Sequence, residues 1–216
     1  MSTKGLVLAL VCSLASVPMA DAKPKKGKPA AKKDDVDPKL VAMFNDAAAK
    51  AQAGKNDEAL KTYKAILELK KKKKLAAIPR FIATTHLQAS YSMIDLGKLP
   101  EAEKELKLVA VDTLGKPTQY DYHFTLGNVL GGQGKLKPMF SAFVEAISIA
   151  EDLDDLETRP PQCWTKIIAF TMKAEDWTYL AEVSDKALQV ARLRKYKDLE
   201  TKALVAQSEA KKHLGK

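Results

Sequence analysis

Residues 123–135 read HFTLGNVLGGQGK, four glycines in thirteen positions, closing on Gly134-Lys135. A glycine-rich run ending this way can cradle phosphate on its backbone N–H groups while the lysine reaches the terminal phosphate. That chemistry needs a glycine five residues before the Gly-Lys pair, a serine or threonine after the lysine, and a strand leading in. Val129 and Leu136 occupy those two places, and the flanking pattern is helical. The run is therefore punctuation. Gly127 is expected inside a helix, where a missing side chain lets a partner helix approach. Gly131, Gly132 and Gly134 are expected to end that helix and turn the chain.

The other reactive side chains point the same way. Cys163, beside Trp164, could act as a nucleophile only with a base in reach, and no cysteine-enzyme signature surrounds it, so it reads as a half-buried inert thiol. His86 and His123 stand about one repeat apart, in equivalent places that Trp164 fills next. Packed helices lie about 8–10 Å apart, so two such histidines are poorly placed to share a zinc ion with bonds near 2 Å. Packing is the expected role of all three. No enzymatic activity, metal or cofactor is expected.

The elements that must position these residues are helices. Phe140, Phe143, Val144 and Ile147 fall at i, i+3, i+4 and i+7, and Ala59, Tyr63, Ile66 and Leu67 form an earlier stripe of the same kind. Pro79, Pro100, Pro138 and Pro161 each stand where an apolar-periodic run begins, where a missing N–H is harmless. Asn56 followed by Asp57 and Glu58 reads as a helix cap with acids in the first turn. Gly54, Gly97 and Gly134 recur at intervals of about forty residues, each between two helices, and Glu175 occupies the corresponding place in a fourth unit. No strand is expected. The fold class is all-α: paired helices stacked into a superhelix.

The units resemble tetratricopeptide (TPR) repeats. In the third, His123 takes the aromatic position, Leu126-Gly127 the Leu-Gly doublet, Gly134 the turn, and Phe143 with Ala146-Ile147 the second helix. Gly54, Ala59, Tyr63 and Leu67 match in the first unit, and Gly97, Ala102 and Leu106 in the second. Trp164, Trp177 and Ala187-Leu188 match in the fourth. Only the third unit carries Leu-Gly, Met139 replaces its second-helix alanine, and the segments between units are longer than usual. The units are placed at about 40–74, 80–112, 120–155 and 161–194, with 195–216 as a polar-faced capping helix.

The resemblance implies a concave groove lined by the first helices, in which a peptide or helix of a protein partner lies. Its register sends Phe44, Leu87, Tyr91, Phe124, Asn128 and Thr165 inward, unless some of the aromatics pack between repeats instead. Asn128 follows the Leu-Gly doublet, where the family often bonds ligand backbone. Phe44, Leu87 and Phe124 stand where carboxylate-gripping members carry lysine, which favours a more apolar ligand.

Charge offers a second surface. The formal net charge is +9, from 36 Lys and Arg against 27 Asp and Glu. Lys70, Lys71, Lys72, Lys73 and Lys74 end one second helix, and Arg192, Arg194, Lys195 and Lys197 cluster at the end of another. Such cations can simply solvate helix ends and favour the dipole. They can also form one basic edge for anionic lipid, polysaccharide or an acidic protein, which is the alternative function; nucleic acid is not expected.

Lys4, the apolar run Leu6–Ala20 and the small-x-small Ala20-Asp21-Ala22 have the layout of a secretory signal peptide, with cleavage expected after Ala22. The run is short for a membrane span, and no other stretch of spanning length follows. Cys12 lies within it, behind bulky Val11, unlike a lipid-attachment site. Cleavage leaves Cys163 as the only thiol, so no internal disulfide is expected. Residues 23–38 form a lysine- and proline-rich arm, too polar to fold alone, serving as a spacer or as an anionic-surface tether. The expected location is the periplasm of a Gram-negative bacterium, or outside the cell.

Overall fold

The computed structural model describes residues 36–73 and 79–215. Among the described residues the regular structure is helical: α1 (Pro38–Gln52), α2 (Asn56–Lys73), α3 (Pro79–Asp95), α4 (Leu99–Leu106), α5 (Lys116–Gly132), α6 (Leu136–Asp152), α7 (Arg159–Lys173), α8 (Trp177–Arg194) and α9 (Lys197–His213), with one 3-10 turn at Val111–Thr113. Each helix packs on the next, and the first helices of pairs also touch, α1 with α3, α5 with α7, and α7 with α9. The result is a layer of first helices backed by a layer of second helices. The expected signal peptide and the expected arm as far as residue 35 fall outside the described residues, as does Lys74.

Proline positions explain the starts. Pro38 and Pro79 are the first residues of α1 and α3, while Pro100, Pro117 and Pro160 are second in α4, α5 and α7. None of them removes a hydrogen bond that the helix would otherwise make. Asp37 caps α1, its carboxylate accepting from the Lys39 N–H at 2.8 Å. Asp37 and Pro38, assigned to the arm on composition, therefore belong to the folded part. Asp176 caps α8 in the same way through Tyr179 N–H at 3.0 Å. Asn56 does not cap α2. It lies inside the first turn, and its side-chain oxygen is buried without a partner among the described residues.

The turns share one backbone device. Gly54, Gly97 and Gly134 have φ of 75°, 72° and 73°, the left-handed conformation that glycine adopts without penalty. Asp154, Glu175 and Lys195 adopt it too, at 56°, 56° and 61°. Glu175 thus occupies the place of the turn glycine in conformation as well as in sequence. A left-handed side-chain-bearing residue costs about 1 kcal/mol. Glu175→Gly is therefore expected to raise the melting temperature by about 2–4 °C, as a thermal melt would show. An unchanged or lower melting temperature would mean that the Glu175 side chain makes an offsetting contact.

Gly131 and Gly132 are the last two residues of α5, so the helix ends where expected, but both are helical and only Gly134 turns the chain. A Cβ on Gly131 would stand 2.5 Å from the Phe170 ring and 2.9 Å from Met139 Sδ. One on Gly132 would stand 2.8 Å from Leu99. They are sites of close approach by α7, α6 and α4. Gly127 plays the part predicted for it, since a Cβ there would meet three atoms of the Phe143 ring at 2.8–2.9 Å.

The buried apolar side chains form two clusters. One is built on α1–α4 and reaches Tyr122 and Val129 of α5; the other runs from α5 to α9. Leu126 packs against both. Between them α4 is short, and the chain leaves it so that Val109 and Leu114 enter the first core. α9 closes the array with Leu199, Ala203, Ala206 and Ala210 buried and its other faces mostly charged, although Leu204 and Val205 are exposed.

Candidate partner-binding groove

Six residues were expected to face the groove, and they divide by burial. Leu87 is wholly buried and Phe44 is 7% exposed. Phe44 meets Tyr63 edge-on at 5.6 Å and Phe81 at 5.5 Å between ring centroids. Their place is in the core between helices, because a large apolar side chain gains more from burial there than on an open face. They offer no surface to a ligand. Tyr91, Phe124, Asn128 and Thr165 are each partly exposed on first helices.

On α5, Asp121, Phe124, Thr125 and Asn128 fall at i, i+3, i+4 and i+7, a single face. The Phe124 ring stacks on Tyr120 at 5.7 Å and meets Phe143 edge-on at 5.6 Å, so it is a half-buried, preorganised surface. Asn128 donates through its side-chain nitrogen to the Phe124 carbonyl at 2.8 Å, which leaves its side-chain oxygen to accept.

Asp121 did not stand out in the sequence. Its spacing from Phe124 and Asn128 was the available signal. Burial lifts its carboxyl to about 6, against the downward pull of nearby Arg159. Across from it on α3, burial and the Asp121 charge push the Tyr91 phenol up. Arg159, the first residue of α7, is committed elsewhere. Its Nε pairs with Asp155 at 2.9 Å and its guanidinium lies 4.3 Å from the Tyr120 ring centroid. Its Nη1 is buried without a partner among the described residues. The other carboxylates of similar burial are directly paired: Glu103 with Lys107 and Lys135, and Glu105 with His86.

Cys163 is wholly buried beneath this face, its Sγ 3.8 Å from the Tyr120 hydroxyl, and burial pushes its thiol up to about 12. Such a thiol is protonated and poorly nucleophilic at neutral pH. His86 Nδ1 lies 2.6 Å from Glu105 across its own helix pair, Trp164 is buried, and burial lowers the pKa of half-buried His123. Each has its own local surroundings. Among the described residues no group of three or more His, Cys, Asp and Glu could hold a metal ion, and no helix is long and apolar enough to cross a membrane.

The basic cluster of the fourth pair is partly neutralised. Arg192 donates to Glu200 at 3.0 Å and Arg194 to Glu151 at 3.4 Å, which ties α8 to α9 and α6. Lys195 is the left-handed residue between α8 and α9. Lys70–Lys73 form the last turn of α2.

No protein-family model matches this chain, and no curated protein matches it. Solved structures do. The nearly identical TPR-like repeats of a kinesin light chain from Podosopora anserina superpose with a TM-score of 0.59 at 12% identity, covering 82% of this chain and 87% of that one. A point variant of the same protein gives 0.58 at 13%. BtubC (BKLC) from P. vanneervenii gives 0.53 at 14%, covering 81% of this chain and 79% of its own. The fold is a TPR-like α-solenoid.

Proposed function

We propose that this chain is a non-enzymatic adaptor that holds a peptide or helix of a partner protein along the inner face of its first helices. The observation that carries this reading is the α5 face, where Phe124 and Asn128 stand partly exposed on a rigid aromatic bed, flanked by Tyr91 and Thr165. Preorganised aromatic surface with one free acceptor suits a segment that brings apolar side chains and an N–H to satisfy. The helix pairs supply a scaffold, and no side chain described here is poised for covalent chemistry.

Export completes the proposal. The charged start, apolar run and Ala20-Asp21-Ala22 support cleavage after Ala22 and action in the periplasm or outside the cell. The basic clusters then serve for general attraction to anionic surfaces. The pairing of Arg192 and Arg194 with acids argues against a dedicated polyanion site.

Capture of envelope proteins on the immobilised chain tests this, with Asn128→Arg and Thr165→Arg as the comparison. Both residues are partly exposed, so a melt of the variant should match the parent. A discrete protein retained in high salt and lost with the double variant is the expected result. Material that washes away in salt and ignores the variant would move the function to the lysines.

A further inference from the structure

We propose that Asp121 selects the partner: it seats a lysine or arginine side chain of the bound segment, whose aliphatic stem runs over Phe124 and Tyr91. The proposal rests on the groove reading and gives it a chemistry.

Three observations carry it. First, Asp121 shares one face of α5 with Phe124 and Asn128, both partly exposed, so its carboxylate lies on the surface a ligand would cover. Second, among the described residues it makes no ion pair or hydrogen bond, unlike the other half-buried acids. A half-buried charge without a partner is costly, and a partner that supplies a cation removes the cost. Third, among the described residues the cation that acts on it, Arg159, does not pair with it: its Nε bonds Asp155, its guanidinium lies on the Tyr120 ring, and its Nη1 is buried without a partner. The two phenols beside Asp121, Tyr91 on α3 and Tyr120 on α5, are both pushed up by burial and remain neutral. Tyr91, partly exposed, adds a dipole and flat surface, Tyr120 is buried beside Phe124, and neither brings a competing charge. Aromatic faces on either side of a carboxylate suit a long basic side chain, which lays its methylene groups on the rings and its head on the oxygens.

The net charge of +9 sharpens the expectation. A generally basic molecule repels basic segments at long range, so recognition must come from this local site and tolerate salt.

The test is a random dodecamer peptide library on phage, selected near pH 7.5 against the full chain. Recovered peptides are expected to share one lysine or arginine. Replacing it with norleucine, or making Asp121→Asn in the protein, should weaken binding about tenfold, as for loss of a charged hydrogen bond. Both changes together should cost no more than either alone. Affinity should also fall about fivefold from pH 7.5 to pH 5 as Asp121 takes up a proton, with Asp121→Asn flat over that range. Because Asp121→Asn removes an uncompensated charge, its melting temperature should equal or exceed the parent value, so a weaker complex cannot be ascribed to unfolding. Peptides that Asn128→Arg displaces, but that show no basic preference or ignore Asp121→Asn, would overturn the proposal and leave the groove intact. Peptides indifferent to Asn128→Arg, or no enrichment at all, would overturn both.

Discussion

Gly127→Ala is expected to cost about 2 kcal/mol in the native protein and to gain about 1 kcal/mol once Phe143 has been cut back to alanine. In the native chain the new Cβ would stand 2.8–2.9 Å from three atoms of the Phe143 ring. That ring is wholly buried, and Phe124 meets it edge-on at 5.6 Å, so it has little room to withdraw. Overpacking of this kind costs about 1–3 kcal/mol. It outweighs the roughly 1 kcal/mol by which alanine exceeds glycine as a helix former. Phe143→Ala alone should cost about 3–5 kcal/mol through lost burial and the cavity left behind. With the ring gone nothing opposes the Cβ, and only the helix preference remains. Urea unfolding of the four proteins at constant m would show the change of sign. A Gly127→Ala effect of the same sign in both backgrounds would mean that Phe143 is not what makes glycine necessary.

This pair also shows which features were legible from sequence. Leu126-Gly127 and Phe143 are read correctly because motif, period and turn glycine agree across a unit. Gly131 and Gly132 are read only in part, as the end of the helix and not as sites of close approach, because glycine marks both. The second role depends on Leu99 beside Gly132 and on Met139 and Phe170 beside Gly131, the last nearly forty residues downstream. Phe44 and Leu87 are expected on register to face a groove and lie in the core instead, because depth decides whether such a side chain is surface or core, and depth depends on how neighbouring pairs stack. Asp154 and Lys195 turn the chain without the glycine that would have announced it. Asp121 was silent for the same non-local reason. Its lack of a counter-charge depends on Arg159 being engaged by Asp155 and Tyr120.

Acid should open the molecule first at Glu103. Its carboxylate accepts from Lys107 at 2.7 Å and from Lys135 at 2.5 Å. These bonds hold it down at about 2, well below the usual carboxylate range. Lys135 leads into α6 and Glu103 lies in α4, so this carboxylate spans the seam between the two apolar clusters. Gln133 adds a bond to the Leu99 carbonyl at 3.3 Å. A carboxyl whose folded pKa lies below its unfolded value stabilises fully above about pH 4.5. That contribution is lost as the pH falls toward 2. Both ammonium groups are well exposed, at 65% and 45%, and solvent screens them. The contribution is therefore about 1–2 kcal/mol rather than the full value of the shift. Glu103→Gln should lower stability by that amount at neutral pH and by almost nothing near pH 2. Asp121 works in the opposite sense: its raised carboxyl penalises the fold above about pH 6 and ceases to do so below about pH 4. Asp121→Asn should therefore gain stability at neutral pH, and the parent should lose its disadvantage on acidification. Chemical unfolding of parent, Glu103→Gln and Asp121→Asn at pH 7, 5 and 3 separates the two. If the difference between Glu103→Gln and the parent stays constant across that range, the seam is held by packing of Leu99 on Gly132 and not by charge.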